Sequence, residues 1–224
     1  MSPEIIRLIA QATADTLLMV AVAAGLGTLL GLPLGVFLAT SKRGELFAAP
    51  LVNTLLGMLV NATRSTPFII LVVAIIPFTR LIAGTSIGTN AAIVPLTVAA
   101  TPFIARLIEG AIREVDQGLV EAARSMGATP LQIVRKVLVP EALPAIALGL
   151  TLAIVSLIGF SAMVGAVGGG GLGDLGIRYG YQRFMPEVMA AVVVILIVLV
   201  QLVQSLGEWI AARVDRRAPR NRGA

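Results

Sequence analysis

Six stretches of the chain contain no Asp, Glu, Lys or Arg: residues 16–41, 46–63, 65–79, 81–105, 142–173 and 188–207. About 20 predominantly apolar residues of helix cross the ~30 Å hydrocarbon layer of a bilayer. The composition follows the same lead. Charged residues make up 13% of the chain and hydrophobic residues 57%, where soluble domains carry about 25% charged residues. The mean hydropathy is +0.95. The fold class expected is all-α, a polytopic membrane protein of five transmembrane helices in a single domain, residues 1–224.

The five spans are placed at residues 16–39, 46–79, 91–108, 143–167 and 188–210. The second is interrupted only by Arg64. As one straight helix it would be about 50 Å long, so it begins as an interfacial segment or bends near residues 61–67. Residues 83–90 read AGTSIGTN, a turn-rich loop between spans. An odd number of spans puts the termini on opposite sides. The first fifteen residues carry one Arg and two acids, and the run after them is too long for the apolar core of a cleavable leader.

The basic residues divide unequally between the two sides. Lys42, Arg43, Arg106, Arg113, Arg124, Arg135, Lys136, Arg213, Arg216, Arg217, Arg220 and Arg222 fall on one set of connections. Arg7, Arg80, Arg178 and Arg183 fall on the other. The Arg-rich set is cytoplasmic by the positive-inside rule, which leaves the N-terminus outside and the basic tail, 211–224, inside with affinity for anionic lipid. Topology thus accounts for the pI of 10.7 without nucleic acid. The chain has no cysteine and no histidine, which excludes disulfides, thiolate metal sites and imidazole catalysis. No Walker A sequence is present, so the chain cannot power transport alone.

The cytoplasmic connection, 109–141, is the most polar part of the chain and still has apolar periodicity. Leu119, Ala122, Ala123 and Met126 fall at i, i+3, i+4 and i+7 and predict one face of a short helix, with Glu121 charging its start. Gly127 is placed to end that helix. Thr129, Pro130 and Gln132 predict a second, with an N-cap, an N1 proline and a capping box. It is expected to run to Val139, with Pro140 and Pro144 marking re-entry into the bilayer. A helix pair of this kind fits a groove on a soluble partner. A DNA-reading helix-turn-helix is disfavoured by the tether to lipid spans at both ends.

Glu121-Ala122-Ala123, three residues, Gly127, nine residues and Val137-Leu138-Val139-Pro140 together resemble the EAA motif, E-A-A-x3-G-x9-I-x-L-P, of bacterial ABC importer permeases. Val137 and Val139 depart conservatively from that pattern. The resemblance implies that Glu121, Ala122, Ala123, Met126, Gly127, Ala128 and Pro130 couple the chain to an ATPase. Asn61 to Phe68, NATRSTPF, resembles the Arg-x-Thr-Pro signature of amino-acid importer permeases. Pro77 to Arg80, Gly84 to Thr89, Ser161-Ala162-Met163 and Gly165 to Gly173 are similar to the methionine-importer permeases. That resemblance covers nearly the whole chain. It implies a homodimer that moves methionine, with D-methionine and analogues, across the inner membrane by alternating access. It also implies two cytoplasmic ATPase subunits that bind ATP and Mg, and a periplasmic or lipid-anchored methionine-binding protein. No cofactor is expected in this chain.

Several residues carry two readings. Arg64, charged within an apolar run, either lines the solute path with Asn61 or snorkels to the cytoplasmic interface. Gly27, Gly31 and Gly35 form a small-residue ridge for packing within one subunit or between two. Residues 168–187 predict a flexible external loop, whose Arg178, Tyr179, Tyr181 and Arg183 either dock a binding protein or belt the last span. Its literal G-x-G-x-x-G follows a membrane helix, with Asp174 placed to repel phosphate, so nucleotide binding is disfavoured. Met163, with Ser161 near the outer end of the fourth span, either packs or gates the path. The competing function classes are a permease for another amino acid and a secondary transporter or channel subunit. Proton-coupled carriers usually place acids or His inside their spans, and the acids here cluster in loops and at span ends.

Overall fold

The computed structural model describes residues 2–215, and the described residues are helices joined by short turns. Four helices are long and apolar enough to cross a membrane, and a bent pair makes a fifth crossing.

The first helix, α1, runs Pro3–Thr40, 38 residues, capped by Ser2 and begun by Pro3. At 1.5 Å per residue it is about 57 Å long, well beyond the span expected at 16–39. Its extra turns are amphipathic. Ile5, Leu8 and Ile9 pack with buried Ala12 against Leu172, Leu175, Val188 and Val192 in a small separate core. The bend expected near residues 61–67 is present, and the second span divides into α2 Pro50–Ser65 and α3 Phe68–Ala74, followed by α4 Ile76–Ala83. The first two meet at 105°, because Pro67 cannot donate to a preceding carbonyl and biases Thr66 to extended backbone, φ −79° and ψ 125°.

Helix α5, Thr89–Arg113, lies along α1. The glycine ridge of α1 is settled in favour of packing within the subunit. A Cβ at Gly27 would lie 2.7 Å from Ala100 Cβ, and one at Gly35 would lie 2.5 Å from the Ala105 carbonyl oxygen. The main core gathers around this pair and includes Met19, Leu96, Ile104, Ile108 and Leu157.

After α6, Gln117–Ser125, the chain enters one continuous helical run, Pro130–Ala166. It consists of α7 Pro130–Ile133, a π turn Val134–Leu138 and α8 Val139–Ala166. The expected break at Pro140 and Pro144 is absent. The π turn opens the register just before Pro140, with Val139 N–H bonding to Val134 O, and Pro140 falls in the first turn of α8. The fourth span is therefore rigidly continuous with the second helix of the cytoplasmic connection.

The segment 168–187, expected as a flexible loop, is mostly helical: α9 Gly171–Leu175, then a π turn Gly176–Tyr181. Leu172 and Leu175 are buried, and Leu172 N–H donates to buried Thr16 Oγ1 at 2.8 Å. Helix α10, Pro186–Val214, closes the bundle, with only Val188, Val192, Gly207 and Ala211 buried. Its exposed Val194, Ile197 and Leu202, like Leu29 on α1 and Leu59 on α2, suit lipid rather than water. The residues Arg216, Arg217, Arg220 and Arg222 of the expected basic tail lie outside the described residues.

Candidate functional site

The connection 109–141 forms a stiff knob. Asp116 caps α6 by accepting from Gly118 N–H at 2.8 Å, so Asp116, not Glu121, sets the helix start. Glu121 is exposed in mid-helix. The helix ends in a Schellman turn. Gly127 has φ +77°, Gly127 N–H bonds to Arg124 O, and Ala128 N–H bonds to Ala123 O. The Thr129/Gln132 capping box then starts α7, with Pro130 at its first turn.

The packing splits the expected face of α6. Val120 and Ala123 are buried in the main core with Ile133, Val134 and Leu138. Leu119 and Met126, expected on the same face as Ala123, point outward with Ala122, and Met126 is 81% exposed. With Leu131, also exposed, they give the knob an apolar tip rimmed by Glu121 and Arg124.

Behind the knob lies a polar brace that the sequence reading missed. Glu109, 4% exposed, pairs with Arg106 and Arg113 at 2.5 Å each. Arg106 also donates to Gly57 O at 3.0 Å and to Asn61 Oδ1 at 2.9 Å. Arg113 donates to Leu38 O at 3.2 Å. The brace ties α5 to α2 and α1. Asn61 thus belongs to a structural network. The i, i+3 and i, i+4 spacing of Arg106, Glu109 and Arg113 was the available signal, but Glu109 and Arg113 fall past the end of the expected third span.

At the α2–α3 break a cavity of about 320 Å³ is lined by Thr63, Arg64, Thr66, Pro67, Phe68, Leu71, Ala99, Phe103 and Phe160. The Arg64 guanidinium lies over the Phe103 ring, 5.9 Å from its centroid. Phe68 and Phe160 stack with centroids 4.4 Å apart. On α8, Leu148, Leu152, Gly159 and Met163 form an exposed stripe at helical spacing, with Met163 47% exposed. Ser161 is not on that stripe. It is buried, and its hydroxyl donates to Ile158 O at 2.7 Å.

At the opposite end, Arg178 pairs with Asp174, and Arg183 stacks on Tyr179, 4.4 Å from the ring centroid. Tyr179 leans on the small outer core, while Tyr181 is exposed. The structure adds Phe184, 86% exposed and held at φ +53°, an unusual backbone for a bulky residue. No motif in the sequence marked it.

These parts define a class: a helical subunit that crosses the membrane several times and carries a rigid, apolar-tipped helix pair. The family model for the binding-protein-dependent transport system inner membrane component matches residues 31–218, and the chain belongs to that family. A Vibrio cholerae protein, a probable D-methionine transport system permease protein MetI, is 59% identical over 210 residues, 94% of this chain and 93% of its own length. The Escherichia coli K12 D-methionine transport system permease protein MetI is 50% identical over 165 residues, 74% of this chain and 76% of its own. A solved structure of the MetNI methionine ABC transporter in inward-facing conformations superposes with a TM-score of 0.94 at 50% identity, covering 96% of this chain and 100% of that chain. A crystal structure of an amino acid ABC transporter with histidines, 22% identical with a TM-score of 0.77 over 93% of this chain and 94% of its own, shares the fold.

Proposed function

We propose that this chain is the membrane-spanning subunit of an ATP-driven importer that carries methionine, including D-methionine, across the inner membrane by alternating access. The observation that carries the reading is the knob. Its α6–α7 turn is fixed by a Schellman motif and a capping box, its apolar tip is uncovered, and α7 runs without a break into the fourth span. Force applied to the knob is therefore delivered along α8 to Met163.

In this reading two copies enclose the path, and Glu121, Ala122, Ala123, Met126, Gly127, Ala128 and Pro130 seat each copy on one of two cytoplasmic ATPase subunits. Those subunits bind ATP and Mg. The exposed stripe of α8 faces the second copy, with Met163 forming an apolar, deformable outer seal. The N-terminus is outside, and Arg178, Tyr179, Tyr181 and Arg183, with Phe184, receive a methionine-binding protein. The names of the MetI relatives support methionine as solute, and the positive-inside distribution supports the orientation. The test is uptake of radiolabelled methionine by proteoliposomes that hold this chain, its ATPase and its binding protein. ATP-dependent accumulation is expected. Accumulation without ATP or without the ATPase would replace this reading with a secondary carrier.

A further inference from the structure

Arg64, exposed in the single subunit, edges the cavity at the α2–α3 break and carries a charge that no carboxylate of the described bundle neutralises. A charged side chain in the bilayer interior costs roughly 2.5–3.5 kcal/mol or more. Within the spans, Arg106 and Arg113 offset that cost by sharing Glu109. Arg64 has no carboxylate partner among the described residues, and its guanidinium is held over the Phe103 face instead. No acid lines the cavity. The nearby Thr63 and Thr66 hydroxyls donate back to Leu59 O and Ala62 O.

Depth and shape point the same way. Ala99 and Phe103 lie 10 and 14 residues from the outer start of α5, about 15–21 Å along the helix. That is near the middle of a ~30 Å hydrocarbon layer. Solute sites in transporters commonly lie at that depth beside a discontinuous helix, and α2–α3 is broken there by 105°. The remaining wall is apolar, formed by Phe68, Leu71, Phe103 and Phe160.

We propose that this cavity is an intramembrane solute site in which Arg64 takes the carboxylate of an apolar amino acid while the solute side chain lies against Phe103 and Phe160. The proposal rests on the importer reading above and names the solute contact within it. A guanidinium grips a carboxylate with two parallel N–H donors, and a thioether packs well at an aromatic edge. With no acid in the lining, the solute ammonium receives no charge partner there, so recognition depends on the carboxylate end and the apolar chain.

The chain has no cysteine, so an introduced thiol can be addressed alone, with the wild-type complex as the control for partner thiols. In the assembled importer Arg64→Cys is expected to lower methionine uptake at least tenfold, with association to the ATPase retained. A positively charged methanethiosulfonate should restore part of the uptake and a negatively charged one should not. Saturating methionine should slow modification of the introduced thiol several-fold, and methioninamide, which lacks the carboxylate, should not. Undiminished uptake by Arg64→Cys, rescue by the negative reagent, or equal protection by both ligands or by neither overturns the site and leaves the importer reading standing. A wild-type complex that moves no methionine overturns both. Should Arg64→Cys fail to assemble with its ATPase, Arg64→Lys carries the test. It keeps the charge and loses the two-pronged grip, so the KM for uptake should rise several-fold at unchanged kcat, and an unchanged KM overturns the site.

Discussion

The two glycine-marked corners of this chain use the same residue for different physical ends. At the α6–α7 knob, a Cβ on Gly127 would meet nothing within 4 Å, but the backbone sits at φ +77°. At the outer end, Gly173 has an ordinary φ, but a Cβ there would run into the backbone of Ala162. The first glycine serves conformation at an exposed turn. The second lets α9 lie directly on the end of α8. The knob is thereby free to be covered by a partner, while the outer corner is already closed on its own subunit. A glycine-rich run in a sequence does not by itself distinguish the two.

The comparison is broken most severely at the outer corner. Gly173→Val is expected to block folding outright, with membrane-inserted protein falling at least fivefold in quantitative blots of membrane fractions. Gly173→Asn should do no better, because the collision is with backbone whatever the side chain. Gly127→Val should insert normally yet lose more than nine-tenths of uptake, because a β-branched residue in the left-handed region costs about 1–2 kcal/mol and distorts the turn. Gly127→Asn should recover much of that loss, since Asn tolerates positive φ. Rescue by Asn at 127 and not at 173, read by uptake and membrane yield together, is the sharpest form of the contrast.

Effects at the ends of the conduit should be smaller. Met163→Ala removes an exposed side chain from the α8 stripe and should raise ATP hydrolysis uncoupled from uptake two- to fivefold. Met163→Cys should cross-link to its twin in the resting complex and less when the nucleotide-bound state is trapped. The smallest effect is expected at the outer rim. Tyr181→Ala should weaken binding-protein docking several-fold in surface-binding assays, without changing basal ATP hydrolysis.

The spans were legible because lipid imposes a crude rule, long runs without charge, and the positions of all five were found. Their ends were not, because that rule stops at the first charged residue. Asp15 and Arg7 hid the outer extension of α1, although Ile5, Leu8, Ile9 and Ala12 already showed i, i+3, i+4, i+7 spacing. Pro140 and Pro144 pointed to a break that the π turn before them absorbs. The knob's turn chemistry was legible in full, since Gly127 and the Thr129/Gln132 box act locally. Its buried face was not. Leu119 and Val120 are equally apolar, and only the surrounding core decides that Val120 goes in and Leu119 stays out. Ser161 shows the same limit: its place next to the α8 stripe was readable, but its orientation depends on neighbours distant in sequence. Arg64 was marked by its charge within an apolar run and by the Arg-x-Thr-Pro pattern, and the Phe103 and Phe160 walls that give it a setting come from two other helices.

The knob is proposed to seat on an ATPase at the cytoplasmic face. Site-directed cross-linking from Met126→Cys, with a short bifunctional reagent in membranes holding the whole importer, tests it most directly. A cross-link to the ATPase is expected from position 126, diminished by Gly127→Val, and none to the ATPase is expected from Tyr181→Cys. A thiol at position 126 that reacts with an impermeant reagent from outside intact cells, or that never joins the ATPase in any nucleotide state, would contradict it.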